Sequence, residues 1–589
     1  MIEIALPYEV EAGEDSHGGD PFACTLYKML PKAMKLTTKQ DVHLLEYLHK
    51  VPVNEVGIPE YYVELTRKLK DKKKLNLIYP VGNSIYIHVM DDPEGGRGYY
   101  IAVEPTLREH LNERELVHDV EMQLLNYAED FESADSPEDL QEVFKAVLDK
   151  IMNIQAGDDD SDEEVSGPLG YVRDLIFKSL AAKKKKGMDL SADDAKVLKY
   201  IMVRDKLGMG VLEPLILDTN IEDISCSGVG PIFVEHKIFD SLRTSFGFDN
   251  EVELDKFVLR LSERIKKPVT VRVPVVDASL PDGSRINIVY GSDVSRNGSN
   301  FTIRKFSETP LSILELVKFG NLDFMMAAFL SLAMEEGLNI FVAGETASGK
   351  TTLLNAITVF IDANAKIVSI EDTAEVQVPH PNWIREVTRQ SKPGEEGSGV
   401  GMFDLLKAAL RQRPDEIIIG EIRGEEGLIA FQAMQTGHSV MATFHASSVA
   451  KLIQRLTGSP ISVPKTYIDN LNLVVIQEGV KLPDGKPGRR ATSISEIISY
   501  DSVSDAFSFA ELFKWDPVTD KFDFVGENNS FLLEYKIAPQ RGIPPNKKRQ
   551  IYALIRKRAR ILEKLAEKGV TEYQEFYKVI AKAQKDGIF

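Results

Sequence analysis

Gly344-Glu345-Thr346-Ala347-Ser348-Gly349-Lys350-Thr351 satisfies G-x-x-x-x-G-K-[ST] at every fixed position. Glycines at this spacing let successive backbone N–H groups turn inward onto phosphate oxygens. A helix starting at the second glycine adds its partial positive charge. Lys350 is placed to reach β- and γ-phosphates, and the Thr351 hydroxyl to ligate Mg²⁺. The nucleotide-holding set is read as Gly344, Glu345, Thr346, Ala347, Ser348, Gly349, Lys350, Thr351 and Thr352. The motif requires a strand before it and a helix after it. Asn339 to Ala343 is a short apolar run, and Thr352 to Phe360 carries Leu353, Leu354 and Ile357 at helical spacing. A chance glycine-rich turn would lack both flanks. The implied cofactors are ATP and Mg²⁺.

Two further apolar runs end in acids: Lys366 to Ile370 in Glu371-Asp372, and Glu416 to Gly420 in Glu421. Phosphoanhydride hydrolysis needs one acid to orient or activate the attacking water, and another to hold Mg²⁺ directly or through its waters. A lone acid after a strand is commonly a helix cap or a solvated turn; two beside a phosphate loop point to chemistry. Gly420 occupies the position where an aspartate would usually precede Glu421, which excludes many common ATPase classes. Thr436 to Ser447 puts His438 and His445 on either side of a short apolar strand. Isolated histidines are more often structural than catalytic, but His445 at a strand end could sense the γ-phosphate.

Positioning these groups takes a sheet whose strands end along one edge. The runs Ile340 to Ala343, Ile367 to Ile370, Ile417 to Ile419, Val440 to Phe444 and Leu473 to Ile476 alternate with helical stretches. Uninterrupted apolar strands between helices predict a mostly parallel sheet covered on both faces, with the ligand at the C-terminal strand ends. The fold class is therefore α/β, a P-loop NTPase domain of RecA-like type over 309–535. An α+β domain over 169–308 precedes it, with strands expected at Ile221 to Ser225, Ile232 to His236, Val269 to Val273, Arg285 to Tyr290 and Thr302 to Phe306. Thr309-Pro310 is a plausible hinge. Residues 1–155 read as an accessory domain, with strands at Leu75 to Tyr79 and Ser84 to Val89 and no legible chemistry.

Gly157 to Glu164, closed by Ser166-Gly167-Pro168, marks 156–168 as an acidic linker, or alternatively an acidic docking tail. Residues 536–589 form a basic helical region in which Ile551, Leu554, Ile555, Leu562 and Leu565 recur at helical spacing among lysines and arginines. That pattern suits a helix packed on its own domain with a solvated basic face, or a docking surface for a membrane protein or anionic lipid. The run Lys183 to Lys186 reads as a solvated loop or helix end.

The 589 residues carry a net charge of −19, which argues against nucleic-acid binding over the whole surface. Two cysteines far apart, Cys24 and Cys226, indicate neither a disulfide framework nor a zinc site. The start lacks a signal-peptide pattern, and the most apolar window, Phe324 to Met334, is too short to span a bilayer. A cytoplasmic protein is expected, with membrane contact through partners.

Together the phosphate loop, the acidic segment Ile367 to Glu375, the glycine-glutamate segment Leu410 to Arg423 and the histidine segment resemble the secretion ATPases. These power type II and type IV secretion, type IV pili and archaeal filaments. The resemblance covers roughly Leu207 to Tyr500 and is most similar to archaeal members, including the archaellum motor ATPase. It implies Glu371 as the catalytic glutamate, Glu421 as the residue serving Mg²⁺ and its water, and His438 and His445 as the histidine box. The upstream domain would be PAS-like and contribute arginines that close over the nucleotide; matching positions are Arg272, Arg285 and Arg304. It further implies a homo-hexameric ring, a polytopic membrane platform protein as partner and a place at the cytoplasmic face of the membrane. The other open readings are a nucleic-acid motor for DNA transfer or unwinding, and a nucleotide-dependent scaffold with little turnover.

Overall fold

The computed structural model describes residues 190–306, 310–389 and 399–589. It also describes residues 24–152 apart from 67–68, 71, 73, 83, 94, 109–110, 129–130 and 132–136, together with residues 2–3, 8 and 22. The acidic stretch 156–168, the lysine run 183–186 and the hinge positions 307–309 lie outside the described residues. The chain divides into two compact units, Met1–Phe306 and Ser307–Phe589.

Unit 1 is built on one sheet. Its principal strands are β1 (Asn76–Pro80), β2 (Tyr86–Met90), β3 (Tyr99–Val103), β4 (Ile221–Cys226), β5 (Gly230–His236), β6 (Asp240–Phe248), β7 (Val275–Ser279), β8 (Arg285–Val289) and β9 (Asn300–Arg304). Their order is β1-β2-β3-β6-β5-β4-β9-β8-β7. The accessory region and the α+β region thus share strands, joined by parallel pairing of Tyr99 and Tyr100 with Arg243 and Thr244. Buried Asp218 fastens the same junction: it accepts from Tyr79 Oη at 2.6 Å and Tyr100 Oη at 2.9 Å. Helix Glu251–Arg264, capped by Asn250, lays Leu254, Val258 and Leu261 on this core at the i, i+4, i+7 spacing of one helical face. The strand expected at Val269 to Val273 is instead a tight turn, with Thr270 bridged to Val273. Pro268 and Pro274 flank it and lack the N–H groups a ladder needs, so the strand begins at Val275.

Unit 2 carries a nine-stranded sheet. Strands β10 (Ile340–Ala343), β11 (Ile367–Glu371), β12 (Trp383–Val387), β13 (Glu416–Ile422), β14 (Ser439–Phe444) and β15 (Leu473–Lys481) run parallel in the order β12-β11-β13-β14-β10-β15. An antiparallel extension of β16 (Pro487–Asp501), β17 (Ala506–Asp516) and β18 (Lys521–Asp523) follows. Every residue of β10, β11 and β14 is buried. Alternate side chains of β10 enter opposite cores, Ile340 and Val342 one and Phe341 and Ala343 the other, as a sheet covered on both faces requires. Strand β14 lies between the phosphate-loop strand β10 and the acidic strand β13, the arrangement of the expected RecA-like P-loop domain. Among the described residues no helix is long and apolar enough to cross a membrane.

The C-terminal region is part of this core. Helix Gln550–Glu567 buries Ile551, Tyr552, Ile555 and Leu562 in the same cluster as the apolar helix Phe324–Glu335. Arg558, within the basic run, is itself inside: it pairs with Glu335, and its Nη1 lies 3.2 Å from Ser331 Oγ. Arg556, Lys557 and Arg560 face outward.

Glu416, opposite Ser439 at the start of β13, is 3 % exposed, and burial pushes its carboxyl up to about 8. An unfolded glutamate titrates at about 4.3. Between those values the folded chain holds a proton that the unfolded chain has released, so this group costs stability progressively as pH rises through that window. Glu416→Gln should therefore melt at a higher temperature than the parent at pH 8 and close to it at pH 4. Coincident melting curves at pH 8 would mean that Glu416 ionises freely in the fold.

Candidate active site

The loop after β10 is fastened at its base by Gly344 N–H donating to Phe444 O at 3.1 Å. Ala347 (φ 60°) and Gly349 (φ 93°) both take left-handed backbone conformations, and Gly349 leads directly into helix Lys350–Ile357. A non-glycine residue at positive φ stores strain, which clusters at ligand-binding loops. Glu345 to Ala347 are exposed, while Ser348 and Lys350 are buried. The Lys350 ammonium donates to Gly344 O at 3.1 Å and Glu345 O at 2.7 Å, so it sits under the loop it must serve. Burial lowers its pKa. Ser348 Oγ is buried with no hydrogen-bond partner, leaving a hydroxyl for an oxygen-rich ligand.

Glu371 ends β11 and is 1 % exposed. Its Oε1 accepts the backbone N–H groups of Glu375 at 2.8 Å and Val376 at 2.7 Å. Oε2 has no hydrogen-bond partner, and Arg385 Nε lies 3.7 Å from it. Burial outweighs the two N–H donors and pushes this carboxyl up to about 7. Its place depends on Gly420: a Cβ there would stand 2.9 Å from Glu371 Cγ and 3.3 Å from its Cβ. An aspartate before Glu421 would occupy the space Glu371 fills. The departure noted at Gly420 thus has a steric cause, an acid supplied by the neighbouring strand.

Glu421 lies two strands from the loop. Its Oε1 is 2.7 Å from His445 Nε2, and its Oε2 accepts from Arg423 Nε at 2.8 Å. On the other side of the ring, His445 Nδ1 faces Lys350 Nζ at 3.4 Å. Burial lowers the His445 pKa against the opposing pull of Glu421. His445 therefore bridges the acidic strand and the phosphate-loop lysine.

The structure brings Lys350, Thr351, Glu371, Glu421 and His445 to one edge of the sheet, and leaves His438 elsewhere. His438 precedes β14 whereas His445 follows it, and seven residues at about 3.3 Å per residue separate them by roughly 20 Å. It pairs there with Thr436 Oγ1 at 3.1 Å. The three arginines belong to unit 1. Arg272 is exposed in the Thr270 to Val273 turn. Arg285 and Arg304 stand directly opposite one another on β8 and β9, off the core face that Ile286 and Ile303 form.

Several neighbours escaped the sequence reading. Glu375 Oε2 accepts from Thr351 Oγ1 at 3.4 Å, and buried Gln477 donates from Nε2 to Ser348 O at 3.1 Å. The signal for Gln477 was present, as a polar residue directly after the apolar run Leu473 to Ile476, at the edge where ligands bind. The donor set fits a nucleotide with Mg²⁺. A buried ammonium and an unpartnered buried hydroxyl suit phosphate oxygens, and Thr351 with the Glu421 carboxylate supplies the hard oxygen ligands Mg²⁺ requires.

The profile of the type II/IV secretion system protein family matches residues 205–485. An uncharacterized protein of Methanocaldococcus jannaschii is 42% identical over 550 residues, 93% of this chain and 96% of that one. The type IV secretion system protein VirB11 of Bartonella quintana is 31% identical over 249 residues, 36% of this chain and 68% of VirB11. The solved structure of the Legionella pneumophila ATPase DotB aligns at 20% identity and a TM-score of 0.35, over 62% of this chain and 92% of DotB.

Proposed function

The chain belongs to the type II/IV secretion system protein family, and from that premise we propose that it is an ATP-hydrolysing ring motor. It drives assembly or movement of a type IV pilus-like filament, archaellum or pilus, or type II-like protein secretion. The observation that carries the reading is the convergence of Lys350, Glu371 and Glu421 on one sheet edge, bridged by His445. Lys350 and the loop N–H groups bind the β- and γ-phosphates, and Glu371 orients the attacking water through Oε2. Thr351 and Glu421 hold Mg²⁺, with His445 fixing the Glu421 carboxylate. A Mg²⁺ held by these residues would supply positive charge to offset the charge that develops on the phosphates. The motor works as a homo-hexamer at the cytoplasmic face of the membrane, coupled to a polytopic platform protein, and nucleotide-driven closure of unit 1 supplies the stroke. Steady-state phosphate release with Mg-ATP tests the reading. Turnover that requires Mg²⁺, with light scattering reporting hexamers when a non-hydrolysable analogue is present, is the expected result. No turnover by the full chain at micromolar protein would leave a nucleotide-dependent scaffold instead.

Arg285 and Arg304 are the source of γ-phosphate charge stabilisation in this reading. Two guanidinium groups directly opposite one another on adjacent strands are placed to meet one anion together. Contacts made only on closure stabilise the transition state more than bound ATP, so Arg285→Ala and Arg304→Ala should lower kcat more than they raise KM. Parent rates in both variants would mean unit 1 does not complete the active site.

A further inference from the structure

We infer that Arg385 is a positioning residue for Glu371, holding the Oε2 end of its carboxylate while two backbone N–H groups hold the Oε1 end. The inference rests on the ATPase reading and adds a residue that neither the motifs nor the family match singles out. The two carboxylate oxygens have unlike surroundings. Oε1 is pinned at 2.8 and 2.7 Å, whereas Oε2 is buried and accepts no hydrogen bond. A buried, unsatisfied carboxylate oxygen is costly unless it is about to be used, and Oε2 is the acceptor available to a water. At 3.7 Å, Arg385 Nε is too far for a hydrogen bond but close enough to pair electrostatically. It therefore holds the charge without consuming the acceptor site.

The surroundings fix the guanidinium in turn. Arg385 lies opposite Ser369 in the parallel pairing of β11 with β12, two residues before Glu371 and on the same face. Trp383, also on that face, donates from Nε1 to Ser369 Oγ at 2.8 Å, and the Arg385 guanidinium lies over its ring at 5.3 Å. Cation–π contact with an anchored indole leaves the arginine fewer alternatives. On the opposite side, Gly420 leaves the room that the Glu371 side chain occupies. Glu371 is thus held by N–H groups at one oxygen, by a cation near the other, and by a neighbouring backbone without a Cβ.

The test compares the parent, Arg385→Ala, Arg385→Lys, Glu371→Gln and the Glu371→Gln/Arg385→Ala double variant in Mg-ATP turnover. Binding of a non-hydrolysable ATP analogue is measured alongside. Arg385→Ala should lower kcat about tenfold to a hundredfold, the scale of a misplaced catalytic group, with KM and analogue affinity within about twofold of the parent. Arg385→Lys, which keeps the charge, should recover part of the rate. In the Glu371→Gln background the alanine substitution should cost little more, because the group it positions is already gone. A purely structural arginine would instead lower rate and analogue binding together, and would multiply with Glu371→Gln; either result overturns the inference. So does parent turnover by Arg385→Ala while Glu371→Gln is inactive. A parent chain without turnover defeats the ATPase reading itself, which separates the two failures.

Discussion

Lys350→Ala is expected to abolish ATP hydrolysis and to weaken nucleotide binding by about 3 kcal/mol or more, a factor of roughly a hundred. Lys350 is 8 % exposed, and its ammonium is already held beneath the loop by the carbonyls of Gly344 and Glu345. Its donors are thus organised before a ligand arrives, and little ordering is left to offset what a phosphate contact contributes. Charge-assisted bonds to phosphate oxygens are the strong kind, and alanine removes all of them at once. The same substitution strips His445 Nδ1 of its neighbour at 3.4 Å, so the damage reaches the Glu421 side of the site. Titration with a fluorescent ATP analogue, alongside a melting curve to confirm folding, checks this. Near-parental turnover in a folded Lys350→Ala protein would place the active site elsewhere.

How much of this was legible in the sequence follows from where the determining contacts lie. The phosphate loop, Glu371 and Glu421 were readable because strand, turn and acid are contiguous in the chain. Strands β10, β11, β13 and β14 were readable because burial on both faces forces unbroken apolar runs. Strand β12 was not: it lies at the sheet edge with every residue at least partly exposed, so Trp383 to Val387 shows no such run. The antiparallel strands β16 and β17 carry many polar and partly exposed residues, and they too lack that signature. Arg385 could not be assigned because its role comes from register with Ser369 across two strands. Gly420 was visible as a departure, yet its reason is the side chain of a residue 49 positions earlier, which only strand order places beside it. His438 stands apart for the complementary reason. Both histidines flank one apolar strand, but only the residue after a parallel strand reaches the ligand edge.

Glu371→Gln is expected to keep ATP binding near the parental value while slowing hydrolysis by roughly a hundredfold or more, the scale of a lost general base or water-orienting group. Glutamine is close to the same shape, so the contacts of Oε1 with Glu375 N–H and Val376 N–H survive and the site stays assembled. What disappears is the negative charge on the unpartnered oxygen beside Arg385. Glu421→Gln should behave differently. Its carboxylate accepts from Arg423 and lies 2.7 Å from His445 Nε2, with no backbone N–H on it, so the amide must keep its oxygen toward Arg423 and set its NH₂ toward His445. Loss of that charge weakens a hard-cation site, and the rate of Glu421→Gln should need a higher Mg²⁺ concentration to reach its maximum. Glu371→Gln should leave the Mg²⁺ dependence of binding unchanged. The two roles are thus separated by measuring turnover and analogue affinity across a Mg²⁺ series for each variant. If Glu421→Gln hydrolyses ATP normally at every Mg²⁺ concentration while Glu371→Gln fails, Glu421 has no part at the metal. The His445 bridge would then serve to anchor Lys350 alone.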